Sequence, residues 1–319
     1  MRGLARVQRL ATRIVGRPKP LPQPDSPFHH YNSSFDALGV IRRAAVDEPD
    51  PDPRYLTNFL GVRIDPSYLP GVLDGKAGQV EPPPIPANWH ADIAEWSSAL
   101  RSVEQAEGNY RIVELGCGWG CWLNNTGAAA VRRGLGVDLI GVEGDPRYVE
   151  LARESLSANG FEPSQYRIIH GIAAARTGTA LFPATNLSGA DWGLAPILDA
   201  SPAEIEQATA SGTHYLLETF SFADLVVNQP VDLLHIDIQG GEYGFIRDCL
   251  GDIGRLVRRI LVGTHSRQIE GQIMELLLSA GWGLEMERPA IFALDDPRSP
   301  RITVDGVQLW VNPSMVSSA

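Results

Sequence analysis

The chain has 319 residues, 44% of them hydrophobic, and a formal net charge of −11. That length allows one large domain or a domain with a substantial extension, while the acidic balance argues against nucleic-acid partners. No apolar run is long enough for a bilayer-spanning helix, and Cys117, Cys121 and Cys249 are too badly spaced for a disulfide framework or zinc site, so a reducing cytoplasm is expected.

Residues 1–20 carry Arg2, Arg6, Arg9, Arg13, Arg17 and Lys19 and no acid. Leu4, Val7, Ala11, Ile14 and Val15 share one face of a helical wheel, which predicts a basic amphipathic helix. Such a helix suits either an anionic membrane surface or the acidic body of the protein or a partner subunit. It is not a secretory signal, because the apolar positions never become continuous. Residues 17–27 and 81–86 are proline-rich connectors. The stretch 28–78 between them, rich in aromatics and turns, reads as a lid or an oligomerisation arm within a region spanning 21–109. Asn88 to Glu107 reads as a helix with Trp89, Ile93, Trp96, Leu100 and Val103 at helical spacing, its aromatics assigned to packing.

From residue 110 strands and helices alternate, which predicts an α/β fold: a doubly wound, mostly parallel, seven-stranded sheet covering 110–312, with 313–319 as a tail. The predicted strands are 111–115, 137–143, 166–170, 214–219, 231–238, 257–264 and 283–289. Helices are predicted at 119–134, 146–159, 221–227, 241–250 and 267–280, and 171–213 is read as mainly irregular. A last strand, 304–311, is placed antiparallel at the sheet edge. Ligands on such sheets sit beyond the C-terminal ends of the strands, which gathers Gly116, Glu143, Ile172, Asp237 and His265 around one crevice.

The chemistry concentrates at two strand ends. Arg111-Ile-Val-Glu-Leu-Gly-Cys-Gly-Trp-Gly120 runs an apolar strand into glycines at alternate positions, Gly116, Gly118 and Gly120. Alternate glycines permit a sharp turn and admit a ligand where a Cβ would collide. The next strand ends on Glu143, an acceptor suited to both hydroxyls of a ribose. A dinucleotide loop reads G-x-G-x-x-G; here the third glycine comes one residue early and Cys121 occupies its place. The spacing therefore favours S-adenosylmethionine over a nicotinamide cofactor. A tight turn without any ligand is the alternative.

These residues resemble the first two motifs of class I S-adenosylmethionine-dependent methyltransferases: Glu114-Leu-Gly-Cys-Gly-Trp-Gly120 and Val142-Glu-Gly-Asp145. Asp232-Leu-Leu-His-Ile-Asp-Ile-Gln-Gly-Gly-Glu242, with the preceding Thr219-Phe-Ser-Phe-Ala-Asp-Leu225, resembles the signature of the FkbM-type family. The similarity covers about residues 110–312. Gln239 stands where that family usually has Glu, and Thr264-His265 where a Glu commonly ends the next strand. The resemblance implies that Gly116, Cys117, Gly118 and Gly120 wrap the methionine end of the cofactor. Glu143 and Gly144 would then meet the ribose, and Gly171, Ile172 and Ala173 the adenine. Glu114 would hold the loop or reach the ammonium through water. It also implies a hydroxyl on a sugar, glycan or secondary metabolite as methyl acceptor.

Methyl transfer to a hydroxyl requires alignment and removal of a proton. Asp237 and His265, at adjacent strand ends, and Glu242, opening the helix between them, are the candidate catalytic residues, with Asp237 also beside the cofactor. A histidine flanked by a carboxylate is a good base near neutral pH. For Asp237 the competing role is an N-cap of the following helix, and for His265 a hydrogen bond to backbone. A divalent metal on Asp237, His265 and Glu242 is a rival arrangement, weakened because magnesium prefers oxygen donors. His235 is read as packed in the sheet, while His29, His30, Tyr31 and His90 could reach the crevice if the N-terminal region is a lid. A non-catalytic scaffold keeping the pocket but not the chemistry is the rival from another functional class.

Overall fold

The computed structural model describes residues 26–184 and 194–316. The basic helix expected over residues 1–20 therefore lies outside the described residues. Eight strands form the main sheet: β1 (Asn32–Ser33), β2 (Asn109–Leu115), β3 (Gly136–Glu143), β4 (Tyr166–His170), β5 (Leu233–Ile236), β6 (Arg259–Thr264), β7 (Gly283–Arg288) and β8 (Gly306–Val311). Their order is β1-β7-β8-β6-β5-β2-β3-β4. Strands β4, β3, β2, β5 and β6 pair in parallel. Strand β8 is antiparallel to both of its neighbours, so it lies inside the sheet between β6 and β7 rather than at the expected edge. The edge belongs to β1, which pairs antiparallel with β7 through Asn32 and Glu287 and brings the sheet from the expected seven strands to eight.

Side chains alternate across the sheet and sort the core into two layers. On one face Tyr110, Ile112, Leu139, Leu233 and Leu309 pack with α1 (Ala37–Ala44), α2 (Ile93–Glu104), α3 (Cys121–Arg132) and α4 (Pro146–Ala158). On the other, Val113, Leu115, Leu234, Ile260 and Trp310 pack with α6 (Phe222–Val226), α7 (Glu242–Leu256) and α8 (Arg267–Ser279). The N-terminal region is thus laid over the first face. Helix α2 begins at Ile93, not at 88, because Asp92 caps it by accepting hydrogen bonds from the Ala94 and Glu95 amides; residues 88–92 are loop. That loop is tied across the fold by a buried ion pair between Asp92 and Arg288.

The segment expected to be irregular holds a strand, Gly178–Pro183, and a helix, α5 (Pro202–Ser211), opened by Ser201 and Glu204 in a reciprocal capping box. That strand pairs with His214–Phe220 in a separate four-stranded sheet with Ile172–Ala173 and Ile197–Leu198, so the strand predicted over 214–219 is not part of the main sheet. No helix among the described residues is long and apolar enough to cross a membrane.

Candidate active site

The chain order reverses between β2 and β5, and a crevice at the C-terminal ends of such strands is where ligands bind in doubly wound sheets. A cavity of about 960 Å³ opens there, within the size range of small-molecule sites. Gly116, Cys117, Gly118, Glu143, Gly144, Gly171, Ile172, Ala173 and Asp237 all line it, as does Glu114. The fold therefore brings most of the predicted loop and the strand ends to one place; Gly120, also expected at the cofactor, is not among the lining residues.

The loop after β2 turns on Gly116, whose φ is +73° and whose added Cβ would lie 2.1 Å from the Asp237 carbonyl oxygen. Only glycine lets the two central strands release their chains side by side. The Gly116 and Cys117 amides donate to the Val142 carbonyl at 2.9 and 3.1 Å, and Gly120, at φ +79°, starts α3. Glu143 is held from both sides: one oxygen accepts from the Gly118 amide and the other from the Asp145 amide, each at 2.8 Å. Burial raises its pKa against the pull of those amides. A Cβ at Gly144 would lie 2.8 Å from the Phe182 ring, and one at Gly171 would lie 2.5 Å from that of Phe220. Both glycines thus let a phenylalanine ring pack directly on the backbone at the cavity wall.

Glu114 faces the start of α3 and accepts from the Leu123 and Trp122 amides at 3.0 and 3.3 Å. It satisfies two of the helix's free donors, and burial pushes its pKa up to about 8. Of the two roles expected for Glu114, holding the loop is the one these bonds display.

At the other side of Gly116, three ionisable groups form a row. Asp237 faces the cavity, with 41% of its side chain exposed. The His265 Nε2 lies 3.3 Å from its Oδ1, and the His265 Nδ1 lies 2.9 Å from Glu242 Oε1. Glu242 is fully buried; the same oxygen accepts from the Gly240 and Ile238 amides, while Oε2 has no partner among the described residues. Helix α7 is capped by no side chain, its N-cap being Gly241, so the capping role weighed for Asp237 is absent. Burial would lower the His265 pKa, but the hydrogen bond to Glu242 and the charges of Asp237, Glu242 and Asp305 outweigh it and push it up to about 9. Burial lifts Asp237 to about 6, against the pull of His265. These two shifts place a carboxylate on Asp237 beside an imidazolium on His265 near neutral pH. His265 is not itself among the cavity-lining residues; it stands behind Asp237.

The remaining wall includes His90, one of the residues expected to reach the crevice from the N-terminal region, and Trp89, which the helical spacing assigned to packing. Trp89, His90 and Glu95 line the cavity, because the loop 88–92 swings out ahead of α2. His29, His30 and Tyr31 do not line it. His235 is buried as expected, yet it too lines the cavity, sharing a strand face with Asp237. Burial depresses His90 to about 4 and His235 to about 3, the latter with a smaller contribution from His90, and lifts Glu95 to about 8. Phe182 and Leu198 from the second sheet close the opposite side. A Trp-His pair before a capped helix was a visible signal, but one equally compatible with core packing.

A parallel sheet with an antiparallel strand inserted next to its last parallel strand, a glycine loop after the first parallel strand and an acid ending the second define a methyltransferase of the S-adenosylmethionine-dependent fold. A relative from Jannaschia sp. (strain CCS1), classed by its name with the methyltransferases, is 49% identical over 263 residues, 82% of this chain and 94% of its own. The chain belongs to that methyltransferase family. No protein-family model matches it. Among solved structures it is similar to methyltransferase FkbM from Methylobacillus flagellatus KT, with a TM-score of 0.42 and 11% identity over 69% of this chain and 54% of that one. It is also similar to precorrin-6y C5,15-methyltransferase from Geobacter metallireducens GS-15, with a TM-score of 0.37 and 9% identity over 67% and 86% of the two chains. At that level of likeness neither carries over an activity or a substrate.

Proposed function

We propose that the chain is an FkbM-type methyltransferase that moves a methyl group from S-adenosylmethionine to a hydroxyl of a sugar or secondary metabolite in the cytoplasm. The observation that carries this reading is the Asp237–His265–Glu242 row, which ends on a carboxylate at the cavity within one residue stack of the glycine loop. The residues fit the nucleoside: Gly116, Gly118, Gly144 and Gly171 line the same cavity as Glu143, whose carboxylate is fixed in place by two amides with acceptor capacity left for a ribose. When bound, S-adenosylmethionine supplies an electrophilic methyl on a sulfonium. Methylation of a hydroxyl releases its proton, and Asp237, at the cavity, would accept it. His265, held as imidazolium, orients Asp237 and keeps its charge in place, so the base role expected of His265 moves to Asp237.

The Asp237, Glu242 and His265 ligand atoms lie within 4.8 Å of one another, close enough for a divalent ion. A histidine nitrogen suits magnesium poorly, since that ion prefers oxygen donors, and proton handling is the role proposed for the row. Calorimetric titration with S-adenosylhomocysteine, with NADH in parallel, tests the cofactor: micromolar binding of the former alone supports the reading, and NADH binding overturns it. Transfer from labelled S-adenosylmethionine that survives a chelator supports the metal-free row; loss of transfer with chelator overturns it. Cofactor binding without transfer to any acceptor would favour the scaffold role.

A further inference from the structure

His235 stands two residues before Asp237 on the same strand face and lines the same cavity. It is 3% exposed, and neither ring nitrogen has a hydrogen-bond partner among the described residues. Buried polar side chains are nearly always satisfied, and an imidazole with two unused positions beside a cavity is completed by what enters it. Its surroundings are aromatic: the Trp122 ring centroid lies 5.7 Å from that of His235, His90 lies 5.5 Å from Trp122, and Trp89 lies 6.4 Å from Trp119. Glu95 lines this end too, and its carboxyl makes no hydrogen bond or ion pair within the described residues.

The charges here select against an anion. Asp237 and Asp305 face the cavity. Arg288 is engaged by Asp92, and Arg247 by Asp248 at the rim. A phosphate or carboxylate on the acceptor would lose its hydration and find no unengaged guanidinium among the described lining residues. Indole and imidazole rings, by contrast, suit a ligand with an apolar face and hydroxyls at its edge, and an imidazole offers such hydroxyls one donor and one acceptor.

We propose that the space bounded by Trp89, His90, Glu95 and His235 is the acceptor subsite, that His235 and Glu95 recognise the acceptor by hydrogen bonds, and that the acceptor is an uncharged, hydroxyl-bearing molecule with an apolar face. This rests on the methyl-transfer reading above, whose own failure shows as absent S-adenosylhomocysteine binding. The test uses the full chain and S-adenosylmethionine labelled in the methyl group. A bacterial small-molecule extract is separated by ion exchange into neutral, anionic and cationic fractions, with macromolecules kept apart. Label should enter the neutral fraction. Label in the anionic, cationic or macromolecular fraction, or in none while S-adenosylhomocysteine still binds, overturns the proposal.

His235→Phe should cut transfer into the neutral fraction by about tenfold or more, leave S-adenosylhomocysteine affinity within about twofold, and hold or raise the melting temperature, since two unpaired nitrogens are removed. Undiminished transfer in this variant makes His235 a packing residue and overturns its assignment. His235→Asn, smaller and still able to donate and accept, provides the same comparison if the Phe variant does not fold. It should retain more transfer than Phe or, in its absence, than Ala; equal loss counts against hydrogen-bonded recognition.

Discussion

Replacing His265 with Ala removes the cation between two carboxylates, and the cost can be worked out in two ways. Glu242 is 0% exposed and would keep only the Gly240 and Ile238 amides. Stripping one partner from a buried ion pair typically costs about 3–5 kcal/mol. The His265 pKa is raised from 6.5 to about 9, which corresponds to about 3 kcal/mol in favour of the imidazolium. The two routes agree on a loss of about 3 kcal/mol, measurable by urea unfolding at neutral pH. The sign with pH follows from the raised value: the contribution is complete below pH 6.5 and is lost as pH rises through about 9, so wild type and variant should converge near pH 10. His265→Ala combined with Glu242→Gln should recover much of the loss, because no bare buried charge remains. A single-variant loss below about 1 kcal/mol, or a gap that persists at about pH 10, would refute the ion-pair assignment.

Turnover should follow a bell, rising through about 6 as Asp237 ionises and falling through about 9 as His265 loses its proton, with limbs that belong to the coupled pair. A flat profile across that range would take the pair out of the chemistry. Glu143→Ala should weaken S-adenosylhomocysteine binding by roughly 1.5–3 kcal/mol, read by calorimetry, and unchanged affinity would dismiss the ribose contact. Gly116→Ala sets a Cβ 2.1 Å from the Asp237 carbonyl and demands a left-handed conformation, for a combined destabilisation of about 2–4 kcal/mol in denaturant unfolding; wild-type stability would mean the loop is free to move away.

The part of the candidate site around Gly116 and Glu143 was legible because its parts are local. A strand, a glycine loop and an acid at the next strand end each follow from a few adjacent residues, and the parallel order of β4 to β6 follows from their alternation with helices. The opposite wall was less so, because it is assembled from segments far apart in the chain. Trp89 and His90 carry no feature that separates a cavity wall from a core, although Asp92 and Glu95, at cap and third position, already marked where α2 begins. Strand His214–Phe220 has the same local pattern as a main-sheet strand, and only its partner Gly178–Pro183, inside a Gly- and Pro-rich stretch, assigns it elsewhere. The charge state of His265 depends on Asp237 and Glu242, from one short motif, and on Asp305, from a distant segment, so sequence could name the residue but not its protonation.

The ties between the two ends of the chain bear on how the protein is made. Asn32 bonds Glu287 across 255 positions, and Asp92 pairs with Arg288. While the chain is emerging from the ribosome, the glycine loop, Glu143 and Asp237 can reach their places before either tie exists. The segment bearing Trp89, His90 and Glu95 gains its tie to β7 only after β7 has been synthesised. Contacts of such long range are slow to form, and N-terminal segments awaiting them stay exposed. The ends of β2, β3 and β5 can thus assemble early, and the tie behind Trp89, His90 and Glu95 is among the last contacts the chain can make.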